Sequence, residues 1–207
     1  MLGKFVTLIL CFLALSCARN TVPGGAPTLS RPAVALLQIM DAEGEKMGSC
    51  TAWKAGDQLA VTAGHCCEEG HYYILSGESA IVGAVANMLV DDDKNDICVL
   101  KASLVGAPAR LAAHDPSIGD RIWTLGYPRG FFSIADAYWA GRTGPNGEAG
   151  ISVDATGGFS GSPVLNVHGE AVGVLVSGFL GQSVTFVAPL DHLRIAIDRA
   201  KRTLLED

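Results

Sequence analysis

The chain has 207 residues, of which 49% are hydrophobic and 17% charged, and its formal net charge is −6 at neutral pH. That length sets a prior of one domain of ordinary size with room for two packed β-barrels, and the apolar share supplies a core and excludes a disordered chain. The acidic balance argues against a nucleic-acid surface, which needs clustered lysine and arginine.

Residues 1–16 carry one lysine and then an uncharged run from Phe5 to Leu15, too short to span a bilayer and built like a signal-peptide core. The exit of that run, Leu13-Ala14-Leu15-Ser16-Cys17, resembles a bacterial lipobox. The resemblance makes Cys17 the lipidated first residue of an exported, membrane-anchored lipoprotein, periplasmic or on the cell surface. Ala14 departs from the leucine more usual there, and secretion after ordinary cleavage at Ala18 is the rival. Residues 17–32 follow as a flexible tether rich in proline, glycine and small polar types. The folded part is expected at 33–207. Strands are expected at 33–40, from 48 to 53, and at 59–62, 72–75, 81–90 and 98–100, which places a first β unit at about 33–104. Residues 105–117, with Pro108 and Pro116, read as a connector. A second β unit at about 118–188 opens with the block 119–130 and has strands at 151–153, 163–165, 171–176 and 184–187. Short strands separated by regular turn signals suit a barrel or a sandwich. From 189 to 206, Leu190, Leu193, Ile197, Ala200 and Leu204 recur at helical spacing, so the chain closes on an amphipathic helix.

Gly157-Gly158-Phe159-Ser160-Gly161-Ser162-Pro163 sets one hydroxyl among small residues. Glycines permit a tight turn and close backbone approach, so Ser160 has the setting of a nucleophile, with the N–H groups of Gly158 and Ser160 as oxyanion donors. The plainer reading is a glycine-rich turn carrying an ordinary serine. Two further stretches weigh against it. Ala60-Val61-Thr62-Ala63-Gly64-His65-Cys66 ends an apolar run on a histidine, and Asp96-Ile97-Cys98-Val99-Leu100-Lys101 begins another on an aspartate. His65, Asp96 and Ser160 are thus a base, an orienting carboxylate and a nucleophile, in the chain order of one known triad. Ser162 occupies the position where an α/β-hydrolase elbow needs glycine, and no lysine stands where a phosphate-binding loop needs one.

These three blocks closely resemble the trypsin-like serine peptidases, nearest to the high-temperature-requirement and glutamyl-endopeptidase branches, over about 48–188. The resemblance implies an all-β fold of two antiparallel six-stranded β-barrels of the chymotrypsin type with a C-terminal helix. It implies a serine endopeptidase that forms an acyl-enzyme, takes polypeptides as its partners and pairs an extended substrate with Val176-Ser177-Gly178. A catalytically silent peptide binder on the same fold and an esterase are the alternatives. Four cysteines beyond the export signal, Cys50, Cys66, Cys67 and Cys98, allow three pairings. The resemblance favours Cys50 with Cys66, pinning the histidine loop, which leaves Cys67 with Cys98 either bridged or as two buried thiols. His65, Cys66, Cys67 and His71 match no zinc spacing, and 91–95 lacks the ligands of a calcium loop, so no metal or cofactor is expected. Phe159 stands where zymogen-type relatives carry the aspartate that pairs with a new amino terminus, which implies no activating cut. Asp154, six residues before Ser160, matches the pocket aspartate that selects Arg or Lys. Leu175 stands where glutamyl endopeptidases use a histidine. The balance favours a small-to-medium apolar residue on the acyl side of the cut.

Overall fold

The computed structural model describes residues 32–80, 84–144, 147–178 and 183–206. The expected export signal, Cys17 and the tether to residue 31 lie outside them. Six strands pair in the order β1-β2-β3-β6-β5-β4 and close on themselves. They are β1 (Val34–Met40), β2 (Lys46–Gly56), β3 (Leu59–Ala63), β4 (Tyr72–Ser76), β5 (Ala84–Asp92) and β6 (Ile97–Lys101). A second closed barrel runs β10-β11-β12-β9-β8-β7. Its strands are β7 (Arg121–Gly126), β8 (Ser133–Arg142), β9 (Ala149–Ile151), β10 (Pro163–Leu165), β11 (Ala171–Gly178) and β12 (Thr185–Pro189). Every ladder is antiparallel, and closure pairs each strand on both sides, although the end of β11 beyond Val174 is paired in the ladders with β12 alone.

Burial explains the pattern of residues. All five residues of β3 are buried, so it reads as a continuous apolar run, whereas β8 alternates between its two faces. The first core is built on Trp53, Leu37, Leu75, Ile97 and Leu100, and the second on Ile122, Ile151, Leu175 and Val187. The expected strand at 151–153 is found at Ala149–Ile151, and the second barrel contains β8, for which no strand was expected. The connector is stitched to both barrels, with Ala33 N donating to Ala107 O, Ala109 N to Lys54 O and Ala112 N to Ala171 O, each at 2.9 Å.

The final helix, α1 (Leu190–Glu206), starts one residue later than its expected span, because Pro189 still pairs in β12. It buries Leu190, Leu193, Ala196, Ile197 and Ala200. Four of these, Leu193, Ala196, Ile197 and Ala200, join a core cluster that holds first-barrel residues together with Leu165, Val174 and Ala188 of the second, so the helix straps across β5 and β6 of the first barrel and β11 of its own. Arg194 donates to Ala112 O and, at 3.1 Å, to Ala113 O, which ties the strap to the connector. At the helix start Arg142 bridges Asp191 at 2.8 Å and Asp115 at 3.0 Å. The hydrogen bond from Arg142 holds the Asp191 carboxyl below the usual carboxylate range, and the positive end of the helix favours the same charge.

Candidate active site

The candidate residues come from both barrels. From the first, β3 ends in a single 3-10 turn, Gly64–Cys66, which carries His65. The turn between β5 and β6 presents Asp96 with φ +53, a left-handed conformation that aspartate tolerates better than most residues. Asn95 braces that turn through its amide, which donates to both Asp92 carboxylate oxygens at 3.1 and 3.0 Å. In the acidic run before it, burial, and then the neighbouring Asp93, push the Asp91 carboxyl above its ordinary range.

His65 Nδ1 lies 3.1 Å from Asp96 Oδ1 and 2.9 Å from Oδ2, and the His65 backbone N–H donates to Oδ1 at 2.7 Å. A carboxylate only accepts, so Nδ1 carries a proton, and in the neutral ring this leaves the lone pair at Nε2. The side chains remain partly open, 48% exposed for His65 and 31% for Asp96. A cavity of about 270 Å³ adjoins the imidazole, lined by Ile39, Met47, His65, Cys66, Glu68 and His71.

The second barrel supplies the loop of Ser160. Phe159 N donates to Thr156 O at 3.1 Å across a turn whose third residue, Gly158, has φ +97. That is the type II pattern, which demands a residue free to take positive φ. The carbonyl and N–H of a trans peptide point opposite ways. Gly157 O accepts from Arg129 N at 2.9 Å on one side, so Gly158 N–H faces the other. Among the described residues neither Gly158 N–H nor Ser160 N–H has a protein acceptor, although Gly158 is buried. Ser160 and His65 do not share a hydrogen bond among the described residues, and in sites of this kind such bonds tighten when substrate arrives. The Ser160 loop is nonetheless pinned to both barrels. Ser160 O accepts from Thr51 N of β2 at 2.8 Å, and Gly161 N donates to Leu175 O of β11 at 2.7 Å. A Cβ at Gly161 would sit 2.1 Å from Thr51 O, so only glycine permits this approach.

Cys50 bonds Cys66 and Cys67 bonds Cys98, each with Cα atoms 6.4 Å apart. The first bridge holds the His65 turn to β2, and the second holds it to β6, just beyond Asp96. Sequence left the second pair open. Donor atoms of Cys50, His65 and Cys66 lie within 4.8 Å of one another, but both sulfurs are consumed in a disulfide and offer no thiolate to a metal. Closing a loop of about fifteen residues is worth roughly 3 kcal/mol in the chain-entropy model. The double replacement Cys50→Ala, Cys66→Ala is therefore expected to lower unfolding stability by about that amount. Denaturant titration measures it, and peptide mapping without reductant should recover both linked pairs.

Of the expected substrate-contacting residues, Asp154, Ser177 and Gly178 are exposed and Val176 is buried. A bulge between Leu175 and Ser177 re-aims the end of β11, where Ser177 pairs with Phe186 and Gly178 with Thr185. Ala155 Cβ lies 3.7 Å from where a Cβ on Gly178 would stand, so a small side chain faces that strand end. The roles of Thr51, Thr62 and the Arg129 amide went unnoticed in the sequence.

The sequence model of the trypsin-like peptidase domain matches residues 48–174, more than half of the chain. The chain belongs to the trypsin-like peptidase family. It is accordingly a serine endopeptidase, a hydrolase whose substrates are polypeptides. Comparison with curated protein sequences finds no match. Among solved structures, the chain is similar to the active form of the Rv3671c protease from M. tuberculosis, with 18% identity and a TM-score of 0.74 over 86% of this chain and 85% of that one. It is also similar to the serine endoprotease from Yersinia pestis, with 19% identity and a TM-score of 0.75 over 86% of this chain and 65% of that one. The inactive form of the Rv3671c protease gives a TM-score of 0.70 at 18% identity, covering 86% of this chain and 94% of that one. At such identities the likeness is one of fold, two six-stranded barrels and a terminal helix.

Proposed function

We propose that this peptidase works through an acyl-enzyme on Ser160, with His65 as general base and then general acid and Asp96 as its orienting partner. The observation that carries the proposal is the bidentate approach of Asp96 to His65 Nδ1, at 2.9 and 3.1 Å, which leaves Nε2 as the only basic ring nitrogen. Ser160 Oγ attacks the scissile carbonyl while His65 Nε2 takes its proton. The imidazolium that forms is stabilised by the Asp96 carboxylate and returns the proton to the leaving amine. Water repeats the sequence and frees the acid. The N–H groups of Gly158 and Ser160 receive the charge on the carbonyl oxygen. Backbone pairing at Val176-Ser177-Gly178 holds the extended substrate whatever its side chains.

For the acyl-side residue we favour a small-to-medium apolar side chain, because Ala155 faces the strand end, Asp154 is exposed, and Leu175 has no group to bind a carboxylate. Labelling of the purified protein with a fluorophosphonate, followed by cleavage of a peptide library, tests both statements. The expected result is labelling and cuts after small apolar residues. Absence of labelling and cleavage overturns the mechanism, and cuts after arginine that Asp154→Ala abolishes overturn the specificity.

Two proposals concern the start of the chain. Phe159 is 6% exposed and packed in the second core, with no charged group to meet a new amino terminus. A recombinant chain beginning near Arg31 is therefore expected to be active as made. Activity that appears only after a specific cut is the contrary result. The natively exported protein is expected to begin at Cys17 carrying acyl chains, because the apolar run from Phe5 to Leu15 ends on the lipobox-like Leu13-Ala14-Leu15-Ser16-Cys17, and two or more chains would anchor it stably. Intact-mass spectrometry checks this, and an unmodified terminus at Arg19 rules it out.

A further inference from the structure

We propose that the Thr51 hydroxyl is the positioning group of the oxyanion hole, an inference that rests on the peptidase mechanism above. Thr51 lies on β2 and is 0% exposed. A hydroxyl has one proton to give and two lone pairs, and this one uses both capacities across the junction of the barrels. Thr51 Oγ1 donates to Gly158 O at 2.7 Å and accepts from Tyr127 N at 2.9 Å. Its own backbone is held as well. Thr51 N donates to Ser160 O at 2.8 Å, and Thr51 O accepts from Thr62 Oγ1, also buried, at 2.8 Å.

These bonds fall on the two supports of the hole. Gly158 O belongs to the peptide unit between the two that carry the oxyanion donors, so fixing it limits rotation on both sides. Tyr127 begins the loop from β7 to β8, which carries Arg129, whose N–H holds Gly157 O and so sets the direction of Gly158 N–H. Arg129 itself sits at φ +52, a conformation a non-glycine residue keeps only when its surroundings impose it. One hydroxyl therefore anchors the start of that loop and the middle of the turn it supports. Without it, the buried Gly158 O loses its Thr51 donor and Tyr127 N loses its Thr51 acceptor, and the Gly158 peptide relieves the loss by turning away from its present direction. Gly158 N–H turns with it. Thr51 does not reach the reacting atoms, and its effect on rate passes through that donor.

The experiment compares Thr51→Val, which keeps the shape and removes the hydroxyl, with Thr51→Ser, which keeps the hydroxyl and leaves a methyl-sized void. Loss of one oxyanion donor lowers kcat by about 10²–10³ in comparable sites, and partial misalignment should lower it by about 10- to 100-fold. The expected result for Thr51→Val is that fall in kcat per folded molecule, with KM within about three-fold. Affinity for a peptide aldehyde matching the best library substrate should drop in step with kcat/KM. Thr51→Ser should melt at a lower temperature yet turn over within about three-fold of wild type. A purely structural role predicts the reverse pairing, with rate following stability in both variants, and that result overturns the proposal. Should the valine variant not fold, Thr51→Ala takes its place against Thr51→Ser. Failure of both hydroxyl-free variants to fold assigns Thr51 to the fold and overturns the inference. A wild-type protein that cleaves peptides while Thr51→Val keeps full kcat overturns this inference alone. A wild-type protein that neither labels nor cleaves overturns the mechanism and this inference together.

Discussion

Replacing Ser160 with alanine is expected to abolish fluorophosphonate labelling and to lower peptidase turnover by a factor on the order of 10⁶, while the protein stays folded. The fold should survive because, among the described residues, none of the bonds that hold the loop uses the Ser160 side chain. Thr51 N reaches Ser160 O and Gly161 N reaches Leu175 O, and neither depends on the side chain removed. The rate cannot survive, because the acyl-enzyme has no other oxygen in that position. His65→Ala should cost nearly as much, since members of a triad act as a unit and their separate losses do not add. Retained peptide cleavage in Ser160→Ala would move the nucleophile elsewhere. A wild-type protein that binds peptides with an affinity unchanged by Ser160→Ala, and never cleaves them, would instead be a silent member of the family.

The parts of the site legible in the sequence are those whose chemistry is local. A histidine, an aspartate and a serine each sit within a short block of small or apolar neighbours, and those blocks survive as recognisable strings. Strands were legible where apolar and β-branched residues lie together, as in β3, with Leu59, Val61 and Thr62 all buried. β8 escaped for a physical reason. Its inward positions include Ala135, Ala137 and Trp139, whereas Ile134 and Tyr138 point outward, 44% and 55% exposed. The bulky residues lie on the wrong face for a hydrophobic alternation to announce a strand. Burial there comes from barrel closure and not from residue type.

Thr51 was invisible for a different reason. A threonine in a strand is ordinary, and its β-branched shape suits the pleat whether or not its hydroxyl is used. Its partners lie 76 residues away at Tyr127 and 107 away at Gly158, so nothing near it in the chain marks the role. The pairing of Cys67 with Cys98 was likewise undecidable until β3 and β6 were in register, which sets Thr62 opposite Cys98 and brings the His65 turn alongside. Spacing along the chain carries no information on either contact, because both are made by the meeting of distant strands.

Replacing Asp96 with asparagine is expected to leave the fold and the labelling nucleophile in place and to lower kcat by about 10⁴, equivalent to roughly 5 kcal/mol of transition-state stabilisation. Asp96 Oδ1 accepts from the His65 backbone N–H at 2.7 Å, and both carboxylate oxygens face Nδ1. An asparagine can keep one of these contacts with its carbonyl oxygen, so the turn at φ +53, a conformation asparagine also tolerates, should persist. What it cannot keep is an acceptor on both sides. If its oxygen stays with the backbone N–H, its NH₂ group faces Nδ1, and the ring must place its proton on Nε2 to accept there. The nitrogen that should receive the Ser160 proton then already carries one. Slow labelling with an unchanged melting temperature is the expected signature, whereas a variant that unfolds would show Asp96 acting first as a clamp on the His65 turn. Turnover within about ten-fold of wild type would mean that the carboxylate neither fixes the tautomer nor stabilises the imidazolium. In that case the short contacts to Nδ1 would serve the fold alone.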